Sequence, residues 1–421
     1  MTWTQGMMAT GLTGDALTEH MVSNGSDVTL SGGLLQFPFS TDGARCLVAL
    51  PGGGASIRLI NSGAIGVLYA HVAVSGTPTR EIGLLTDGGE TTTTARYLRI
   101  GTDRKVKFYD YNGTLIASSS SQVSTNSASP SQIVAIWDCL TLGTVWVALF
   151  FDGTQEVGVD STETPGVFVG GGGSGGIVFG EDLPAGVNCG VTMTARYITA
   201  RTTSNAGDAP HTAALPKLLG VGSYVPVQEG DDHAWANGTT ASPNTYQDVD
   251  ETGTNDGDTS RIADIQTTDP KTAHDHLFQH STANPFTTET IVAVQTKHIG
   301  RLNGTGKNYC QSLLKLAGTK AAASLLVIPP TLTTNYGPGG TVVAVTPSGG
   351  SWAVSDFDLS GGVSKLQWGA RSIVQSGVDT APVITKYLSP EAIYYSATLP
   401  LATTPTAGGL AGKTVTQGTF Y

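Results

Sequence analysis

Most apolar runs in this chain are a few residues long, alternate with polar positions, and stop at Gly, Asn, Asp or Pro. Arg45–Leu50, Tyr97–Ile100 and Lys105–Tyr109 are typical. A period of two belongs to a strand with one buried face, and the three-to-four spacing of an amphipathic helix hardly occurs. Arg96–Ile100 and Lys105–Tyr109 flank a short turn, Gly101–Arg104, and read as a hairpin; Asn112-Gly113 marks the next turn. Thr144–Phe151 is a rich strand that stops at Asp152-Gly153, and Glu156–Asp160 returns alongside it. Composition agrees: 55 glycines suit turns rather than helices, and charged residues make up 13 %, about half the usual share of roughly 25 %. The expected fold class is all-β, with two β-sandwich domains in tandem.

At roughly 100–200 residues per domain, 421 residues make two or three domains. Strand patterning gives way to Gly, Asp, Pro and Ser over Thr202–Pro216. The organisation read from this is a first sandwich over 1–201, a linker over 202–215, a second sandwich over 216–402 and a C-terminal arm over 403–421. The glycine run Gly170–Gly176 reads as a loop inside the first sandwich, because strand-like residues follow at Ile177–Gly180 and Gly190–Tyr197. Thr290–Thr296, Tyr309–Lys315, Thr341–Val345, Val363–Gly369, Ala381–Leu388 and Ala392–Tyr395 read as strands of the second sandwich. On this reading the linker is the segment a protease cuts first.

A net charge of −11 without clustered Lys and Arg argues against a nucleic-acid partner. No run approaches the ~18 apolar residues of a membrane helix, so no membrane insertion is expected. The N-terminus lacks the basic start and apolar run of a secretory signal, which implies synthesis in a cytoplasm without export. The four cysteines are scattered and form no Cys-x-x-Cys pair, so they read as small buried apolar residues.

Two stretches carry a resemblance. Ile136-Trp137, Val145–Gly153 with its closing Asp-Gly, Ile177–Gly180 and Thr192–Ile198 together resemble a concanavalin-like (laminin-G-like) jelly roll over about residues 20–200. Asp231–Trp235, Asn244–Glu251, Asp256–Arg261, Asp275–Phe278, Ser351–Asp358 and Leu366–Gly369 are similar, in that order, to a module of tailed-bacteriophage structural proteins covering about 216–396. Arg261 stands where that module carries an aromatic. The resemblance implies a non-enzymatic virion component: a tail fibre, tail-tip or capsid-spike subunit made in the bacterial host cytoplasm. Its implied partners are other virion proteins. Low charge and the arm 403–421, which has no core pattern of its own, add copies of itself, a homotrimer first and a larger ring second; the alternative is a carbohydrate-binding receptor module that contacts host-surface glycan. The resemblance brings no catalytic residues with it.

Candidate chemistry is sparse. His274, His276 and His280 alternate and would share one strand face, as a zinc or nickel site requires; the simpler reading is a strand with solvent-facing polar residues. Asp248, Asp250, Asp256 and Asp258 offer hard oxygen ligands in a loop that would suit calcium, although the EF-hand spacing is absent; the simpler reading is a solvated acidic loop needing no cofactor. Concanavalin-like folds also host glycosidases with acids at alternating strand positions, but Asp248–Glu251 lacks the leading and closing acids of such a strand. Trp235, on a Gly/Asp-rich loop, is read as an exposed carbohydrate or surface contact, with Tyr246 beside it, whereas Trp352 and Trp368 are read as core. Phe420 and Tyr421, at the tip of the arm, are read as oligomer contacts.

Overall fold

The computed structural model describes residues 4–8, 21–24, 28–31, 34–40, 43–48, 63–86, 96–110, 113–140, 145–160, 178–183, 186–224, 226–237, 245–248, 262–263, 274–280, 283–302, 309–326, 337–373, 382–386 and 390–403. The regular secondary structure of the described part is almost entirely strand. In the first half these are β1 (Thr4–Met8), β2 (Met21–Asn24), β3 (Thr29–Ser31), β4 (Leu34–Phe37), β5 (Gly43–Val48), β6 (Ile65–Val74), β7 (Ile82–Thr86), β8 (Arg96–Ile100), β9 (Lys105–Tyr109), β10 (Leu115–Gln122), β11 (Ser131–Asp138), β12 (Trp146–Phe151), β13 (Thr154–Asp160), β14 (Val178–Asp182) and β15 (Met193–Thr203). The second half holds β16 (Gly220–Ser223), β17 (Gln228–His233), β18 (Ala236–Asn237), β19 (Ile262–Ala263), β20 (His274–Gln279), β21 (Thr290–Leu302), β22 (Tyr309–Leu316), β23 (Thr319–Leu326), β24 (Gly337–Val343), β25 (Leu359–Ser360), β26 (Val363–Ser364), β27 (Leu366–Ile373), β28 (Pro382–Lys386) and β29 (Pro390–Tyr395).

The first sandwich faces an eight-stranded sheet, ordered β13-β12-β11-β6-β15-β4-β3 with β1 also on β15, against a seven-stranded sheet, ordered β10-β9-β8-β7-β14-β5-β2. Its core includes Phe37, Leu68, Val72, Phe108, Trp137, Leu149 and Phe179. The second sandwich pairs a seven-stranded sheet, ordered β16-β29-β21-β28-β19-β18 with β24 on β21, with a five-stranded sheet, ordered β17-β20-β27-β22-β23. Its core is aromatic: Tyr224, Trp235, Phe278, Phe286, Trp352, Phe357 and Trp368. The β8–β9 hairpin stands at the residues read from sequence, with Arg104 in a left-handed conformation at its turn. The strand read as ending at Gly369 runs on to Ile373, because Gly369 lies where a Cβ would overlap the carbonyl oxygen of His276 on the paired strand β20. Here glycine permits close strand approach instead of ending the strand.

Among the described residues no sheet draws strands from both sides of 203–216. The joint itself differs from the exposed linker expected over 202–215. Thr203, Ala209, Pro210, Leu215 and Pro216 are buried. Backbone hydrogen bonds tie the segment to the end of the second sandwich: Lys217 donates to Ala397, Leu399 to Leu215 and Ala402 to Pro210, at 2.8–3.0 Å. A third apolar cluster explains this burial. Val67, Tyr69, Val134, Ile136, Trp146, Ala148 and Phe150, on the outer face of the eight-stranded sheet, pack against Ala209, Leu215, Leu219, Ala293, Leu399 and Ala402. A protease needs an extended, accessible segment; Ser204–Gly207, Thr212 and Ala214 are exposed, but the buried, hydrogen-bonded residues on either side hold them in place. The glycine run 170–176 and residues 404–421, with Phe420 and Tyr421, lie outside the described residues.

Candidate functional site

The five-stranded sheet turns one face outward, and a cleft of 490 Å³ opens on it between Asp231, Asp232, His233, Ala234, His274, Asp275 and Lys320. It arises from an irregularity in β17. Glu229 pairs with Phe278 and His233 with His276, so the segment between them carries extra residues relative to β20 and bulges outward. Gly230 makes this turn because a Cβ there would lie 2.7 Å from Leu277 Cβ. The Asp231 amide donates to Gln367 Oε1 at 2.9 Å, which holds the bulge over the neighbouring strands.

Raised this way, Asp231 and Asp232 start a row of charges crossing the sheet. Lys315 on β22 reaches Asp231 at 2.7 Å and Asp232 at 3.3 Å. Lys320 on β23 bridges Asp232 and Asp275, both at 2.9 Å. Arg371 on β27 donates from Nε and Nη2 to the two oxygens of Asp275 at 2.6 and 2.9 Å. Burial alone would raise the Asp275 carboxyl, but the hydrogen bonds from Arg371 and Lys320 outweigh it and hold the group below the usual carboxylate range. The hydrogen bond from Lys315, helped by Gln367, depresses Asp231 in the same sense.

Beneath the cleft lies a second, buried set. Glu229 Oε1 accepts the Tyr246 amide at 2.8 Å, and its Oε2 lies 3.0 Å from His276 Nε2. His276 Nδ1 accepts the Trp235 amide at 3.1 Å, so the imidazole proton sits on Nε2, facing Glu229. The Trp235 indole N–H donates to the His274 carbonyl at 3.3 Å.

This placement corrects the sequence reading. Trp235 is 2 % exposed and belongs to the core, so it presents no ring to a ligand; its loop turns inward because indole and amide both find partners on β20. Tyr246 packs half-buried against the same core, on the short 3-10 turn Thr245–Asp248. Trp352 and Trp368 are buried. The three histidines alternate along β20 and its end, but His276 and His280 are fully buried rather than solvent-facing. The His280 ring lies 4.2 Å from Tyr224 and 5.8 Å from Trp368. Among the described residues no group of three or more His, Cys, Asp or Glu could hold a metal ion. The calcium reading cannot be placed on this geometry: Asp250 and Asp256 and Asp258 lie outside the described residues, as does the Asp248 side chain. The row of Asp231, Asp232, Asp275, Lys315, Lys320 and Arg371 was missed. Its one local signal is the hairpin Lys315–Lys320 around Ala317-Gly318, which sets the two lysines opposite each other.

What the cleft offers is polar and reversible contact: carboxylate acceptors, ammonium and imidazole donors, and no stacking surface. No protein-family model matches the chain, and no curated protein sequence matches it. Similar solved structures include a Trypanosoma rangeli sialidase in complex with sialic acid, at 14 % identity over 43 % of this chain and 27 % of the sialidase, with a TM-score of 0.29. This chain therefore matches only about a quarter of the sialidase's length. The Emp46p carbohydrate recognition domain is similar at 13 % identity over 49 % of this chain and 89 % of that domain, with a TM-score of 0.28. Arcelin-5, a lectin-like defence protein from Phaseolus vulgaris, is similar at 11 % identity over 48 % of this chain and 98 % of its own, with a TM-score of 0.33.

Proposed function

We propose that this chain is a non-enzymatic structural subunit of a tailed-bacteriophage particle: a tail-fibre, tail-tip or capsid-spike protein that assembles with other virion proteins and with copies of itself, as a homotrimer first. The observation that carries the reading is the apolar joint. Trp146, Phe150, Leu215, Leu219 and Leu399 weld two sandwiches into one block, and a block without a hinge transmits position and load. Low charge supports the same reading, since charged groups are what interface cores exclude. The order of motifs over 216–396 supplies the phage context.

Mass spectrometry of purified, salt-washed particles, with antibody labelling under the electron microscope, tests it. Stoichiometric copies at one particle position are expected. A chain found only in the soluble lysate would overturn the reading. Deleting 404–421 is expected to weaken assembly while both sandwiches stay folded, as read by sedimentation and circular dichroism. An unchanged oligomer would remove the arm from the account.

A second reading, contact with host-surface glycan, rests on the cleft. Its acceptors and donors match a hydroxyl-rich ligand. A glycan array with the intact chain and with Lys320→Ala separates this role from scaffolding: binding lost in the variant supports it, and no binding by either chain refutes it.

A further inference from the structure

The cleft on the five-stranded sheet is walled by an excess of one charge. Three carboxylates line it, those of Asp231, Asp232 and Asp275, against a single ammonium, that of Lys320; His233 and His274 add imidazoles. Lys315 and Arg371 pair with the same carboxylates but stand outside the lining. Exposure separates the signs further. The Asp231 side chain is 59 % exposed and that of Asp232 34 %, whereas Lys315 keeps 14 % and Lys320 29 %. Asp275, at 12 %, is the most buried of the set. A group arriving from solvent therefore meets carboxylate oxygens first.

The cations are already shared out. Lys315 lies between Asp231 and Asp232, Lys320 lies between Asp232 and Asp275, and Arg371 spans both oxygens of Asp275. The carboxylates keep acceptor capacity. Both lysines reach Asp232 through Oδ2, and among the described residues no hydrogen bond reaches its Oδ1. The spacing of these acids suits an ammonium. Lys320 Nζ sits 2.9 Å from one oxygen of Asp232 and 2.9 Å from one of Asp275. Lys315 Nζ touches Asp231 and Asp232 together, so those two carboxylates also lie within the span of one ammonium. No aromatic ring lines the cleft, so a quaternary or planar aromatic cation finds nothing to stack on. A primary ammonium, with its N–H donors, fits the open acceptors. The 490 Å³ of the cleft falls within the range of about 300–1,000 Å³ typical of small-ligand sites.

We propose that this cleft takes a sugar carrying a protonated amino group. Asp231 and the open Oδ1 of Asp232 grip the ammonium, and the neighbouring hydroxyls meet the imidazoles. Lys320 holds Asp232 and Asp275 at their spacing. An acidic sugar would bring its own carboxylate against three others and is rejected. The inference deepens the glycan reading of the cleft and rests on it; it does not depend on the virion reading.

NMR titration of the full chain tests it, with the His233 and His274 ring signals followed at about pH 7, below the ordinary range of an amine and above that of a carboxylate. The probes are glucosamine, N-acetylglucosamine, glucose and glucuronate. Glucosamine is expected to bind about tenfold or more tightly than N-acetylglucosamine, because acetylation removes the charge and keeps the other hydroxyls. Glucuronate is expected to shift nothing. Asp231→Asn and Asp232→Asn are each expected to abolish the preference for the amine, with folding checked by an unchanged circular dichroism spectrum. Arg104→Gln, in a hairpin of the other sandwich, serves as the control and is expected to change nothing. Equal binding of glucosamine and N-acetylglucosamine, or an amine preference that survives in both folded Asn variants, would overturn this inference and leave the glycan reading standing. No shift with any sugar would overturn both. Nα-acetyl-lysine amide carries the same ammonium without a sugar ring, and its binding more tightly than glucosamine would overturn the sugar assignment.

Discussion

Burial holds the His71 imidazole neutral down to about pH 4, and the Arg196 charge beside it acts in the same direction. An unfolded histidine takes up a proton near pH 6.5, so between 6.5 and about 4 the unfolded chain binds a proton that the native chain refuses. The contribution is therefore intact above pH 6.5 and is lost as pH falls towards 4. The loss is on the order of 2 kcal/mol after allowance for solvent screening. Denaturant unfolding at pH 7 and pH 4 is expected to show a smaller acid loss in His71→Phe than in the parent; identical losses would mean that another group carries the acid response. Gly369 is a second sensitive position. Any Cβ there meets the His276 backbone, so Gly369→Ala is expected to part β20 from β27 and cost about 3 kcal/mol or more, read as a lowered unfolding midpoint. Ala317 is the converse. It sits at φ 49° in the β22–β23 turn, a conformation natural to glycine, so Ala317→Gly is expected to stabilise by up to about 1 kcal/mol.

Along the five-stranded sheet the charges form a continuous row, but its members contribute unequally. Exposed pairs such as Lys315–Asp231 contribute about 0–1 kcal/mol, because water screens them and two long side chains lose freedom. The fork between Arg371 and Asp275 is half-buried and made through two parallel bonds, the arrangement in which a charge pair is strongest. Asp275→Asn is expected to destabilise by about 1–3 kcal/mol and Asp231→Asn by less than about 0.5. A double-mutant cycle of Asp275 with Arg371 measures the coupling, and a value near zero would reduce the fork to surface decoration. The β17 bulge is the element on which the cleft depends. Without the extra residues between Glu229 and His233, Asp231 and Asp232 would not reach the lysines of β22 and β23.

The whole molecule is organised by its joint. Trp146 and Phe150 point away from the core of their own sandwich and into the third cluster, so the two sandwiches stabilise each other. Burying a large apolar side chain contributes about 1.5–3 kcal/mol, and several do so here. One cooperative thermal transition is expected from the intact chain, with residues 202–216 resistant to limited proteolysis. Leu215→Asp places a charge in the joint and is expected to split the transition in two and expose the segment to cleavage. Cleavage at 202–216 of the unmodified protein under native conditions would show that the joint opens on its own.

Several of these features were legible in the residues themselves. Alternation and turn chemistry are local, so the all-β class and the β8–β9 and β12–β13 hairpins followed from a few neighbouring residues, as did the interior placement of Trp352 and Trp368. Ile65–Val74 and Trp146–Phe151 carry a further local signal: they are apolar nearly without alternation, which marks strands covered on both faces, and the second sandwich covers them. The position of Trp235 could not be read locally, because a tryptophan beside Gly and Asp looks exposed until β20 supplies partners for its indole and amide. The charged row and the pairing of Arg196 with His71 are likewise tertiary. Asp231 finds Lys315 84 residues away and Gln367 136 away, and Arg196 stands opposite His71 only because β15 returns beside β6. Period and turn type are properties of adjacent residues, whereas sheet order decides which distant side chains share a face, and no local pattern encodes that order.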